Sequence, residues 1–425
     1  MIDTEKDERK IVERAILIGI NDFSAPEEDT AMHLDELEEL AGNLGIEASE
    51  KIVVKLREPH AKYYLGTGKA EEIAEMAREL KIDCLIFDDE LFPIQQRNWE
   101  RLTKLSVIDR QEIILDIFAE RATTSEAVLQ VELARLEYYL PRLTKAWSHL
   151  SRQRGGRNKG EGEKQVELDR RIVRTRIADL KVQLQSVKKQ RDTQRKSRKR
   201  NNIPQAAIVG YTNAGKSSLL KRLSDADIYI ADKLFATLDP TTRRIQLPNQ
   251  QELLLTDTVG FVRKLPHALV EAFKSTLEEA VLADFLVLLL DLSSPCVEEQ
   301  WETTMGVLKE LGADDKNILP VFNKIDLENN PVLMTRIRHM FPNAQFVSVA
   351  TGEGIDDLLH VMEKLVAGGN SVIQVKLPPD RHDLAAFAHQ NGKVVESEYD
   401  EAGFLLMTVR IPARSAQRYA DYLIN

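Results

Sequence analysis

Gly210-Tyr211-Thr212-Asn213-Ala214-Gly215-Lys216-Ser217 decides how the rest of this chain is read. It follows a short apolar stretch, Ala206-Ala207-Ile208-Val209, and runs into an apolar-periodic segment. Strand, loop and helix in that order around G-x-x-x-x-G-K-[ST] form a phosphate cradle. The glycines let backbone N–H groups converge on phosphate oxygens. Lys216 adds a point charge for the β- and γ-phosphates. Ser217 offers a hydroxyl to Mg²⁺, and the following helix turns its positive end to the anion. The implied architecture is α/β, a parallel sheet with helices on both faces.

Two further stretches extend the site. Leu253-Leu254-Leu255-Thr256 reads as a strand ending at Asp257-Thr258-Val259-Gly260. A carboxylate there can hold Mg²⁺ through water, and the Gly260 amide can sense a γ-phosphate. Asn323-Lys324-Ile325-Asp326 follows the apolar Ile318–Phe322. The Asp326 carboxylate can accept from guanine N1–H and the 2-amino group. Adenine offers neither donor and would leave that carboxylate unpaired. Asn323 can brace the loop, and the Lys324 stem can cover the base plane. Val347-Ser348-Val349-Ala350 fits a last guanine-contacting loop, with Val349 where Ala is usual.

Outside this region, 425 residues suggest two to four domains. A content of 43% hydrophobic and 30% charged residues excludes wholesale disorder. Cys84 and Cys296 are too few and too separated for a disulfide scaffold or a zinc site. The start of the chain lacks an apolar signal core, and the longest apolar run, Phe285–Leu290, is too short to span a bilayer and reads as a buried strand. A cytoplasmic location is the expectation.

Residues 1–121 alternate strands and helices: Ala15–Ile20, Lys51–Leu56 and Asp83–Phe87 as strands, Met32–Leu44 and Ala70–Leu80 as helices. Gly66-Thr67-Gly68-Lys69 opens the second helix; it could hold an anion but is too short for a phosphate loop, and a plain turn is the expectation. Residues 122–200 carry two apolar seams. One runs through Leu129, Leu133, Leu136, Leu140, Leu143, Trp147 and Leu150, the other through Val173, Ile177, Leu180, Leu184 and Val187. They predict a long antiparallel helical hairpin with a glycine-rich tip at Ser151–Lys164 and a break at Pro141. Between Ser151 and Arg200 stand 18 basic and 6 acidic residues, in a chain whose net charge is −10. A block of that sign seeks phosphate backbones, and Arg152, Arg154, Arg157 and Lys159 are its RNA-binding candidates. Residues 201–368 hold the nucleotide motifs. Residues 369–425 read strand, helix, strand, strand, helix, a small α/β domain without site chemistry.

With these motifs in place the chain resembles the Era, Obg and HflX group of translational GTPases, and most closely the HflX family. LFATLDPTTRR (Leu234–Arg244), KYYLGTGKAEEI from Lys62 and the basic hairpin carry that likeness. The resemblance implies a Mg²⁺-dependent GTP hydrolase that binds the large ribosomal subunit and ribosomal RNA through its N-terminal domain and basic hairpin, working as a monomer to dissociate or rescue stalled or idle ribosomes. It makes Thr237 the switch I threonine that reaches Mg²⁺ beside Ser217, with Asp239, Thr241 and Thr242 as competing candidates. It also adds Phe235, Ala236, Leu238 and Asp239 to the GTP contacts. Where the family's hairpin tip ends in Gly-Pro-Gly-Glu-Thr-Gln, this chain has Gly160-Glu161-Gly162-Glu163-Lys164-Gln165. Two other functions fit the same motifs: an NTP-dependent RNA-remodelling protein, and a regulatory GTPase switch with a protein partner.

The residue after Gly260 is Phe261, where Ras-type switches hold a water-orienting glutamine. Phe cannot hydrogen-bond water. No residue stands out as general base, and Lys216, Asn213 and Gly260 are the catalytic candidates. Asn213 resembles the phosphate-loop asparagine that in related GTPases helps hold K⁺ beside the phosphates, which implies the same role here.

Overall fold

In the computed structural model, the described residues are 12–22, 26–143, 161–199, 203–224, 235, 238–265, 269, 279–327, 330–368, 370–400, 402–412 and 416–424. The chain divides into two compact units. The first comprises Met1–Leu184 with Asp232–Leu238 and Arg263–Phe273. The second comprises Gln185–Ala231, Asp239–Val262 and Lys274–Asn425.

In the first unit, β1 (Arg14–Asn21), β2 (Glu47–Lys55), β3 (Cys84–Phe87) and β4 (Ser106–Asp109) form a parallel sheet in the order β2-β1-β3-β4. The helices between them are α1 (Glu27–Asn43), α2 (Thr67–Glu79) and α3 (Pro93–Thr103), and α4 (Arg110–Arg121) follows β4. Ile16, Ile18, Leu85 and Phe87 pack with Ile73 of α2 and Trp99 of α3. Trp99 is fully buried and donates its indole N–H to the Tyr63 carbonyl at 2.7 Å. The expected strands and helices are present. Gly66-Thr67-Gly68-Lys69 opens the second helix as expected, with Gly66 the N-cap of α2 and Thr67–Lys69 forming its first turn rather than a separate turn. The β4, α3 and α4 elements carry no clear periodic signal and were not anticipated.

Next comes α5 (Ser125–Tyr139), capped by Thr124, whose side chain accepts from the Ala127 N–H at 3.2 Å. It ends where Pro141 forces a short 3₁₀ turn, Leu140–Arg142, because proline has no N–H to continue the ladder. The expected break is therefore present. The seam residues Trp147 and Leu150 lie outside the described residues. Long helix α6 (Glu161–Lys199) follows. On it Val173, Ile177, Leu184 and Val187 are partly covered and Leu180 is fully buried, whereas neighbouring Ile172 and Val182 are exposed. The expected seam is the buried face. Arg176 pairs with Glu132 at 2.7 Å, and Arg170 donates to the Leu143 carbonyl at 3.0 Å. A second buried stripe on α5, with Ala127, Val131, Ala134 and Tyr138, accompanies its packing against α4 and leaves α5 little free surface.

The second unit holds a six-stranded sheet in the order β10-β9-β8-β5-β7-β6. Its strands are β5 (Gln205–Gly210), β6 (Thr241–Gln246), β7 (Glu252–Asp257), β8 (Phe285–Asp291), β9 (Asn317–Asn323) and β10 (Gln345–Phe346). All neighbours are parallel except β6 and β7. Phe285–Leu290 is buried throughout, as a central strand covered on both faces must be. The helices include α7 (Lys216–Leu223), α8 (Val297–Glu310), α9 (Pro331–Met340) and α10 (Ile355–Gly368). The C-terminal part has an antiparallel sheet, β11 (Asn370–Leu377), β13 (Leu405–Pro412) and β12 (Lys393–Tyr399) in that order, with α11 (His382–Asn391). The final helix differs from expectation: Gln417–Tyr422 is 3₁₀. Among the described residues, no helix is long and apolar enough to cross a membrane.

Candidate nucleotide site

The motif loops of the second unit leave the carboxyl ends of neighbouring parallel strands, where open α/β sheets bind their ligands. Ile208 of β5 is in register with Asp257 of β7, and Asp291 of β8 with Asn323 of β9. The phosphate loop, the Asp257–Gly260 stretch and the Asn323–Asp326 stretch thus start side by side.

Sterics explain the two glycines of the loop. At Gly210, φ is +146° and a Cβ would lie 2.1 Å from the Leu289 carbonyl oxygen. At Gly215, φ is +96° and a Cβ would meet the Asn323 amide nitrogen at 2.5 Å. Asn213 is left-handed as well, with φ 61°, and exposed. Lys216, the first residue of α7, is buried and donates from Nζ to the Tyr211 carbonyl at 2.6 Å. Burial lowers its pKa to about 8, against an opposing pull from the Asp257 carboxylate. The ammonium therefore waits beneath the loop, poorly solvated and suited to an arriving phosphate.

Ser217 Oγ donates to Asp257 Oδ2 at 2.7 Å, and Asp257 is almost fully buried. A hydroxyl and a carboxylate at this distance are the hard oxygen donors that suit Mg²⁺. Thr258 donates to the Ile208 carbonyl at 2.7 Å, tying the two strand ends together. At Gly260 a Cβ would come within 2.8 Å of Thr212 Cγ2 and 3.0 Å of Lys216 Nζ, so only glycine lets the chain pass this close to the loop.

Phe261 is fixed more firmly than its sequence position suggested. Its N–H donates to the Gly210 carbonyl at 3.0 Å, and its own carbonyl accepts from the Thr212 N–H at 2.8 Å. The ring is 1% exposed. The side chain is core, and both backbone polar groups are committed to the phosphate loop.

On the base side, Asn323 links three motif loops. Its amide donates to the Ala214 carbonyl at 2.9 Å, and its Oδ1 accepts from the Val349 N–H at 3.0 Å. Lys324 has φ 65° and pairs with Asp291 at 2.6 Å, which holds the stem in place. Asp326 is exposed at the end of the motif. Ser348 is fully buried and accepts at Oγ from the Thr351 N–H at 3.1 Å.

Two contributors were missed in sequence. Arg222 donates to the carbonyls of Val349, Ala350 and Thr351 at 3.1 to 3.2 Å, fastening the last loop to α7. A basic residue in the last turn of a helix is common and gave no signal. Asp291 had one, a lone carboxylate ending an otherwise apolar strand.

Among the switch I candidates, Thr237 and Ala236 lie outside the described residues, as do Arg152, Arg154, Arg157 and Lys159 at the hairpin tip. Asp239, Thr241 and Thr242 belong to the second unit, where Thr242 and Thr256 share a hydroxyl hydrogen bond of 2.9 Å. Phe235 and Leu238 belong to the first unit and are buried, and the Phe235 ring packs on Phe118 with centroids 4.6 Å apart.

Four family models match the chain in series. They are described as GTP-binding GTPase N-terminal (residues 31–119), GTP-binding GTPase Middle Region (121–198), 50S ribosome-binding GTPase (205–324) and HflX C-terminal domain (333–423). The chain is 50% identical to GTPase HflX of Akkermansia muciniphila over 434 aligned positions, covering 99% of both chains. It is 41% identical to GTPase HflX of Escherichia coli, covering 97% of this chain and 98% of that one. Among solved structures, the complex of SsGBP with GDP is similar at 28% identity and a TM-score of 0.46, covering 83% of this chain and 98% of the other.

Proposed function

This chain belongs to the HflX family of GTPases and hydrolyses GTP; on that premise we propose that it binds the large ribosomal subunit in its GTP form and dissociates or rescues stalled or idle ribosomes in the cytoplasm. The observation that carries this reading is the match of residues 205–324 to the 50S ribosome-binding GTPase model, a segment that holds the phosphate loop and Asn323, whose amide braces that loop at Ala214.

In this reading Gly210–Ser217, Asp257–Gly260, Asn323–Asp326 and Ser348–Ala350 enclose GTP. Lys216 meets the β- and γ-phosphates. Ser217 and Thr237 would hold Mg²⁺, which neutralises charge on the phosphates. Asp326 selects guanine. Phe261 supplies no hydrogen bond to water, so turnover by the isolated chain is slow, and Asn213 would hold K⁺ where charge develops. The working division is residues 1–121, 122–200, 201–368 and 369–425, with the basic 122–200 segment as the RNA-contacting arm of a monomer.

GTP turnover measured alone, with large subunits, with small subunits and with free RNA tests the reading. Strong stimulation by large subunits is expected. Stimulation by free RNA with ATP accepted equally well would replace it with an RNA-remodelling activity. No response to either would favour a switch with a protein partner.

A further inference from the structure

The parallel sheet of the first unit has its own topological switch point. From β1 the chain crosses to β2 on one side, and from β3 to β4 on the other, so a crevice opens beyond the carboxyl ends of β1 and β3. In this fold class that crevice is the usual ligand site. Here it is acidic. Asp88 directly follows β3, its N–H donates to the Ile18 carbonyl at 2.9 Å, and its carboxylate is 4% exposed. Asp89 stands beside it, and Glu36 of α1 adds a third carboxylate.

The crevice is filled by cations of the chain itself. Arg110, fully buried at the start of α4, donates to Asp88 Oδ1 at 2.7 Å, to Glu36 at 2.5 Å and to the Arg263 backbone carbonyl at 3.1 Å. Arg263 donates to Asp88 Oδ2 at 2.6 Å. Lys264, with φ 53°, reaches Asp88 Oδ2 at 3.0 Å and Asp89 at 2.5 Å. Although burial alone would raise the Asp88 pKa, the charges of Arg110, Lys264 and Arg263 hold it well below the usual carboxylate range. All of these residues belong to the first unit, whose boundary with the second falls between Val262 and Arg263. Gly260, three residues earlier, is pressed against the phosphate loop.

We propose that this crevice is a cation site built for the Arg263–Lys264 pair, a clasp that ties the segment after Gly260 to the N-terminal sheet and makes that sheet respond to the nucleotide. Three carboxylates, Asp88, Asp89 and Glu36, face the single built-in cation of Arg110, so the crevice favours further positive charge, which Arg263 and Lys264 supply. The clasp is short and directional, two charge-assisted bonds from Arg263 and Lys264 onto one buried carboxylate. Movement of Gly260 toward or away from a γ-phosphate acts within three residues of those bonds. By linkage, whatever shifts the clasp shifts nucleotide preference, and the reverse. The inference rests on the reading of Gly260 as the γ-phosphate sensor.

Hydrogen exchange of the peptide spanning β3 and Asp88–Leu91 tests it in the full chain, with GDP or a non-hydrolysable GTP analogue bound. Binding of both nucleotides is titrated in the same samples. The wild type should show about a fivefold or larger difference in exchange rate between the two nucleotides. Asp88→Asn should reduce it below about twofold while still binding both. The double variant Arg263→Gln/Lys264→Gln alters only the incoming segment and should behave alike if Asp88→Asn fails to fold. No difference in the nucleotide-bound wild type, or a difference that persists in a folded variant, overturns the clasp. Analogue binding that survives Lys216→Ala overturns instead the site reading beneath it.

Discussion

Lys216 and Asp326, the residues proposed to meet the phosphates and the guanine, sit in opposite environments, one buried and one exposed. For Lys216, burial depresses the pKa to about 8, so the free chain loses this charge as pH rises through that value. GTP affinity should therefore fall by about tenfold per pH unit at most above pH 8. Titrations from neutral to mildly alkaline pH check it, and a flat profile would mean that the ammonium does not meet the phosphates. Asp326→Asn should weaken GTP binding about 10- to 100-fold and shift preference toward xanthosine triphosphate, whose 2-oxo group accepts from the new amide. Competition between the two nucleotides reads this directly. These residues were legible because a phosphate loop and a guanine-selecting loop need fixed residue types at fixed spacing. Arg222 was not, since its partners are backbone carbonyls 127 to 129 positions away that any sequence supplies. Arg222→Ala should loosen Val349–Thr351 and lower affinity for GTP and GDP alike by about tenfold, at the level of three lost charge-assisted bonds partly replaced by water.

At the scale of elements, the sequence reported those with one apolar face and missed those defined by polar tertiary contacts. The strands of the two parallel sheets and the α6 seam follow from periodicity. The junction of β4, α4 and α5 does not, because a buried polar cluster holds it. Asp109 caps α4, accepts from Tyr138 at 3.0 Å and pairs with Arg142 at 3.2 Å, while Glu112 accepts from Tyr138 and Tyr139. Burial, aided by the neighbouring Asp109 and Asp116 carboxylates, pushes the Glu112 pKa up to about 7. A carboxyl raised by folding favours the native state below its ordinary value of 4.5 and loses that contribution as pH rises through 7. Glu112→Gln should abolish this loss and make the chain more stable at pH 8 by on the order of 2 kcal/mol, with little gain near pH 4. Denaturant melts at the two pH values decide it, and equal pH dependence in both proteins would show that Glu112 stays ionised.

For the whole molecule, the proposed function has GTP control a basic arm that seeks ribosomal RNA. The charge asymmetry was plain in sequence, since 18 of the 58 Lys and Arg residues fall between Ser151 and Arg200. The division of the chain was less so. Two segments around the nucleotide motifs, Asp232–Leu238 and Arg263–Phe273, belong with the N-terminal unit, and no local pattern announces that. Neutralising Arg152, Arg154 and Arg157 should weaken ribosome binding and flatten its salt dependence, each lost phosphate contact removing about 0.7–0.9 from the log–log slope. GTP binding by the free chain should be unchanged. The most direct measurement is sedimentation of the chain with large ribosomal subunits in GDP and in a non-hydrolysable GTP analogue across a range of salt. Co-sedimentation with the analogue, declining steeply with salt and much weaker in GDP, is the expected result. Sedimentation indifferent to the nucleotide, or none with either, would contradict it.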